Sequence, residues 1–347
     1  MVTALDERRD YDVRTRVALV LPILAAIAYP WLLAGITALI HAQAVPAPPS
    51  GGAVLLTTFA ILACALSVMA VSAWIALMLA REENATATMR ARATAHIAFA
   101  SPSLLTGIGN IGGVLHEPNF ATYTWPIFWI VMGAVVLLSP ATRVTRSPSY
   151  HRKIVIAHGI SASLILALFI LPHIGNHLAG AWNGASHLQI MQTVRLLYRD
   201  EIVQPLLLGL IAFQIASGIF LVRWRLKAPA DIFGTLQTLT GLYVGIYILG
   251  HAIAVFAARS RGIDTDWNWL TGHDRGILFD LSGSALVAHY WVGPIAIVTH
   301  VACGLRAVAL EHDVSPTAAG RIVVGLFGIG VVASSAILAW LLGFHFA

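Results

Sequence analysis

The chain has 347 residues, 58% of them hydrophobic and only 11% charged, with a net charge of +5 and a mean hydropathy of +0.79. A soluble domain carries about 25% charged residues, so this composition excludes a water-soluble enzyme and marks an integral membrane protein. The apolar runs are longer and more continuous than barrel strands, which leaves an all-α, polytopic helical bundle as the fold class.

The chain opens on MVTALDERRDYDVRTR, a mixed-charge stretch without the apolar core and small-residue cleavage site of a signal peptide. About nine spans are predicted, at roughly 17–41, 53–80, 95–115, 125–140, 154–178, 202–222, 233–257, 284–307 and 322–345. With the N-terminus cytoplasmic, only Arg195, Arg199, Arg259, Arg261 and Arg275 of the 21 Lys and Arg residues fall on the outer side. The positive-inside rule therefore places the N-terminus in and the C-terminus out, as in a multi-pass protein of a bacterial inner membrane. No loop interleaves basic residues with aromatics, so the expected partner is the lipid bilayer and not nucleic acid.

The first four spans carry little chemistry. GIGNIGG in the third resembles a phosphate loop only in spelling, since no strand precedes it and no Lys-Ser/Thr follows. Close packing of helices through small residues is the reading there. His96 and His116 at the two ends of that span are expected at the interface, and Cys64 and Cys303 read as small packing residues.

The fifth span differs. IVIAHGISASLILALFILPHIGNHLAG carries His158, His173 and His177, with Pro172 just before the second. An ionisable ring inside a spanning helix costs about 2–3 kcal/mol or more unless something occupies it, so this span is the first place to look for a site. Beyond it, ASHLQIMQTVRLLYR places Leu188, Met191, Val194 and Tyr198 on one face, with His187, Gln192, Arg195 and Arg199 elsewhere, as in a surface-lying amphipathic helix. Asp200 is expected to cap the sixth span. ARSRGIDTDWNWLTGHDRGILFD joins the seventh and eighth spans, and its tryptophans suggest an interfacial belt. Both segments can roof an outer cavity.

Depth arithmetic groups the remaining polar residues. His173 lies about 28 Å beyond Ile154, and His251 about 27 Å beyond Phe233, on two helices that both run outward. Gln214 and His300 lie about 12 Å and 10 Å from the inner edge. Two imidazoles from different helices at one depth suit the axial positions of a b-type haem. Hydrogen bonding between helices is the plain alternative, and a zinc or copper site from His173, His177 and His251 is another.

Residues 152–310 resemble the membrane anchor of the succinate dehydrogenase and fumarate reductase cytochrome b superfamily, including the related haem-binding anchors of bacterial adenylate cyclases. LPHIGNHLAG, RLLYRDEIVQPLLLGLIAFQIASGIFL, LQTLTGLYVGIYILGHAIAVFAAR and HYWVGPIAIVTHVACGLR carry the resemblance, in the family's order. It implies a cytochrome b anchor-like core at 151–312, between an N-terminal membrane region at 1–150 and a C-terminal spanning helix at 313–347. His173 and His251 match the ligands of an outer haem b, and Gln214 and His300 match the positions of an inner one. The family expects histidine where Gln214 stands, so one haem is expected, with a second only if His158 or another side chain replaces it. The resemblance also implies electron exchange with quinone near the outer face, in a pocket assigned by depth and order to His177, His289, Tyr198 and Arg195. No flavin domain or iron–sulfur motif is present, so electron-transfer partners would be separate subunits of a quinone oxidoreductase. Two rivals stand beside this reading: a haem-free transporter or proton relay using its membrane histidines, and a haem- or quinone-sensing module without turnover.

Overall fold

A computed structural model describes residues 13–43, 50–81, 86–138, 151–271, 277–279 and 283–344, and every regular element among them is helical. Arg8, Arg9, Arg143, Arg146 and Arg275 of the charge pattern lie outside these residues. In order the helices are α1 (Val13–Gln43), α2 (Gly51–Met78), α3 (Thr86–Phe99), α4 (Ser101–Leu115), α5 (Phe120–Leu138), α6 (Arg152–Ile165) and α7 (Leu171–Gly180). They continue with α8 (Gly184–Tyr198), α9 (Val203–Arg225), α10 (Ile232–Ser260), α11 (Trp267–Thr271), α12 (Gly283–Glu311) and α13 (Pro316–Leu341). Among the described residues eight helices are long and apolar enough to cross a membrane, and one bent pair passes the same test of length and composition only when its two helices are taken together. The protein is thus a multi-pass helical bundle.

The third predicted span, at about 95–115, falls on a bent pair of helices. α3 and α4 meet at Ala100 with a 66° bend. Pro102, second in α4, lacks the N–H that would continue the ladder, and its ring excludes the carbonyl four residues back. The residue before it is also steered away from the α region. Pro172 acts more gently. Between α6 and α7 the segment Leu166–Ile170 is a π-helix, and the Leu171 N–H reaches back to the Leu166 carbonyl. The wider turn makes room for a ring that an α-helical ladder would reject, and α6 through α7 stays one span of 29 residues.

α8 is a helix, but its packed face differs from the expected one. His187 and Met191 are the buried residues, whereas Leu188 is exposed. Asp200 caps the next helix as expected, its Oδ1 accepting from the N–H groups of Ile202 at 2.9 Å and Val203 at 3.0 Å. The GIGNIGG segment packs as its small residues suggest. A Cβ on Gly250 of α10 would stand 3.2 Å from the Gly107 Cα, and the Asn110 side chain donates to the Gly250 carbonyl at 3.0 Å. Of its two flanking histidines, His116 is exposed. His96 is buried and bonded to the Arg92 carbonyl, not interfacial.

The apolar cores are built mainly from α1, α2, α3, α5, α10, α12 and α13. α10 and α12 pack on each other and on α4, and α13 packs along α12. Helices α6 to α9 form an arm beside this body. Its substantial helix contacts with the body are α9 with α10, α7 with α13, and α8 with α11. Between α6–α7 and the α10–α12 pair backbone contacts are sparse, and histidine side chains bridge the opening.

Candidate functional site

Histidines span that opening at two levels. Towards the end that carries α8, His173 of α7 faces His251 of α10 with ring centres 6.1 Å apart. Towards the opposite end, His158 of α6 faces His300 of α12 at 6.4 Å. All four rings are half-buried. Two imidazoles that each bind one ion through a nitrogen at about 2 Å have ring centres about 6 Å apart, and both pairs lie near that spacing.

The His158–His300 level is held tightly. His158 Nδ1 is 2.8 Å from the Ser217 hydroxyl of α9, and His300 Nδ1 is 2.9 Å from the Gln237 carbonyl of α10. Each ring is thereby oriented through its Nδ1. Fixing the far nitrogen of an imidazole is how proteins orient a metal-binding ring. Gln214 takes no part in the pairing, because its Oε1 accepts from Ser161 of α6 at 2.8 Å. His158, not Gln214, stands opposite His300.

The His173–His251 level is richer. Phe169 stacks on His173 at 5.0 Å, and Tyr247 lies parallel to His251 at 6.0 Å. His173 Nε2 also lies 3.3 Å from His177 Nε2, one ring donating and the other accepting. Among the described residues no three His, Cys, Asp or Glu side chains gather as a zinc or copper site needs, so the His173–His177–His251 alternative does not form.

The residues expected around a quinone are spread along this level. His289 is buried against Tyr247 at 4.5 Å and pairs with Ser103 at 3.2 Å. The Tyr198 hydroxyl donates to the Phe169 carbonyl at 3.3 Å, one ring away from His173. Arg195 is held by the loop before α11, at 2.7 Å from the Asp264 carboxylate and 3.0 Å from the Thr265 carbonyl.

Sequence reasoning missed the group beyond His177. Asn176 Nδ2 donates to His187 Nε2 at 3.2 Å. His187 lies 5.6 Å from His177 and 5.6 Å from Trp340, and Trp340 stacks on Trp267 at 4.3 Å. Gly180 and Gly184 let the two indoles approach, since a Cβ on either would stand about 3 Å from an indole carbon. Burial, and secondarily Arg195, push the His187 imidazole down to about 4 against an opposing pull from Asp266. His187 is therefore neutral at physiological pH. The available signal was spacing: His187 precedes Met191 by one turn, and Asn176 is a further polar residue beside His173 and His177 in an apolar span.

No family model, curated protein or solved structure matches the chain. The functional reading therefore rests on the site itself.

Proposed function

We propose that the protein is a membrane-embedded b-type cytochrome of a bacterial inner membrane that exchanges electrons with quinone near the α8 end. The single observation that carries this reading is the pair of histidine couples, each reaching across the opening at axial-ligand spacing. Haem b held at these couples would supply reversible one-electron chemistry. The protein's own residues do the rest. Ser217 and the Gln237 carbonyl aim His158 and His300, while Phe169 and Tyr247 set the planes of His173 and His251. His158 precedes His173 by 15 residues on one span, which separates the levels by about 22 Å and makes an electron path through the membrane core. This supports two haems, with the donor or acceptor chains as separate subunits. At the α8 level His173 would hold the group in place of its bond to His177.

A reduced-minus-oxidised spectrum and a haem assay of the purified protein test the reading. A low-spin b-type spectrum with close to two haems per chain is expected. His173→Ala or His251→Ala should remove about half of it, and His158→Ala or His300→Ala the other half. Protein that purifies without haem from haem-replete cells would sink the cytochrome. It would favour the rival relay, which draws support from the direct His173–His177 bond.

A further inference from the structure

α4 and α10 touch where Gly107 meets Gly250, an approach that small residues permit. Further along both helices, at the α8 end of the bundle, a cavity of about 480 Å³ opens beside their last turns. It faces outward, since Val114 and Phe256 on its walls are exposed. The lining changes character along its length. Val114 of α4 and Ile253, Phe256 and Ala257 of α10 make an apolar part. Ser260 and Arg261 at the end of α10, with His116 at the end of α4, make a polar one. Ile253 precedes Arg261 by eight residues, so the change takes place over about 12 Å of helix.

The polar part is built and positively charged. Arg261 Nη2 donates to the Gly113 carbonyl at 2.6 Å, which fixes the guanidinium against the end of α4. His116 closes α4 in the left-handed conformation, with φ 59°. Among the described residues no carboxylate forms an ion pair with Arg261, and the nearby Asp264 is held by Arg195 at 2.7 Å. Arg259 adds a second cation. Its guanidinium lies 5.2 Å from the centre of the Phe256 ring and donates to the neutral Gln204 at 3.1 Å. Two guanidinium charges therefore flank the cavity with only neutral groups bonded to them.

We propose that this cavity binds an anionic phospholipid, with the phosphate at Arg261 and Ser260 and one acyl chain along Ile253, Phe256, Ala257 and Val114. The graded lining asks for an amphiphile. A free phosphate would leave the apolar part facing water, and a zwitterionic headgroup would bring its own cation to a cationic site. The bilayer supplies such a ligand at this level, because the ends of spanning helices lie among the headgroups, where basic side chains meet lipid phosphates.

Native mass spectrometry of the purified full chain tests the proposal. The probes are phosphatidylglycerol and phosphatidylcholine with the same acyl chains. The expected result is one phosphatidylglycerol retained per chain at concentrations where phosphatidylcholine is not. Arg261→Gln should weaken phosphatidylglycerol about fivefold, the effect of one basic residue at an anionic lipid surface. Ala257→Phe fills the apolar part without touching the cation and should weaken it as well. Arg321→Gln, which removes an exposed charge at the start of α13, should leave the affinity unchanged. Equal retention of the two lipids overturns the site, as does an equal loss in Arg261→Gln and Arg321→Gln. Displacement of the lipid by inorganic phosphate at equal concentration also overturns it, by showing a simple anion site. So does an Arg261→Gln protein that melts lower but keeps its phosphatidylglycerol affinity, because Arg261 would then only clamp α4 to α10. The lipid is counted by mass whether or not haem is bound, so this result stands apart from the cytochrome reading.

Discussion

His187 illustrates how much a single side chain can hide from a helical wheel. Its ring takes the packed position expected of Leu188, because its Nε2 finds Asn176 and its faces find Trp267 and Trp340. Its depressed pKa has a consequence for stability. The unfolded imidazole protonates near pH 6.5 and the folded one near 4. As pH falls through this window the unfolded chain takes up the proton first, so His187's stabilising effect is full above about pH 6.5 and lost on the way to about 4. His187→Phe should therefore show a shallower fall in melting temperature between pH 6.5 and 4 than the wild type; parallel profiles would contradict this. Gln214 teaches the complementary lesson. Depth and helix order matched it to His300, but neither says which way a side chain points. Gln214 turns to Ser161, leaving His158 as the partner.

At the scale of elements, the spans were legible because about 20 apolar residues in a row admit one structure in lipid. Their irregularities were only half legible. Pro102 and Pro172 are both visible, yet the first breaks a helix and the second merely widens a turn. The outcome depends on what packs around each, which no local pattern records. The π segment also sets the rotation of α7 relative to α6, by one residue in its count. Pro172→Ala should let ordinary helix form there and turn His173 away from His251 by about 100°. The expected spectrum keeps the His158–His300 contribution and loses the other. Where α4 crosses α10, Gly250→Val would press on Gly107 at a backbone-to-backbone approach. A cost of about 1–3 kcal/mol is expected, seen as a lower melting temperature.

For the whole molecule, charge asymmetry gives the expected orientation, with the N-terminus cytoplasmic. Lys227, in the turn between α9 and α10, and Ile263, beyond α10, sit at opposite ends of one span. A cysteine introduced at 227 should label only from the cytoplasmic side, and one at 263 only from outside; the native Cys64 and Cys303 are buried and should stay silent. The distribution of packing was not legible, because hydrophobicity alone does not distinguish a face that meets lipid from one that meets another helix. The cores fall among α1–α3, α5, α10, α12 and α13, while the α6–α9 arm touches them at few places. An arm so attached has the freedom of a door on its frame. Helices that share little buried surface open at low free-energy cost, and whatever bridges the opening sets the amplitude. Amide exchange in α6 and α9 should thus be fast when the opening is empty and slow when it is filled, so that the occupant governs the rhythm of the arm as well as its chemistry.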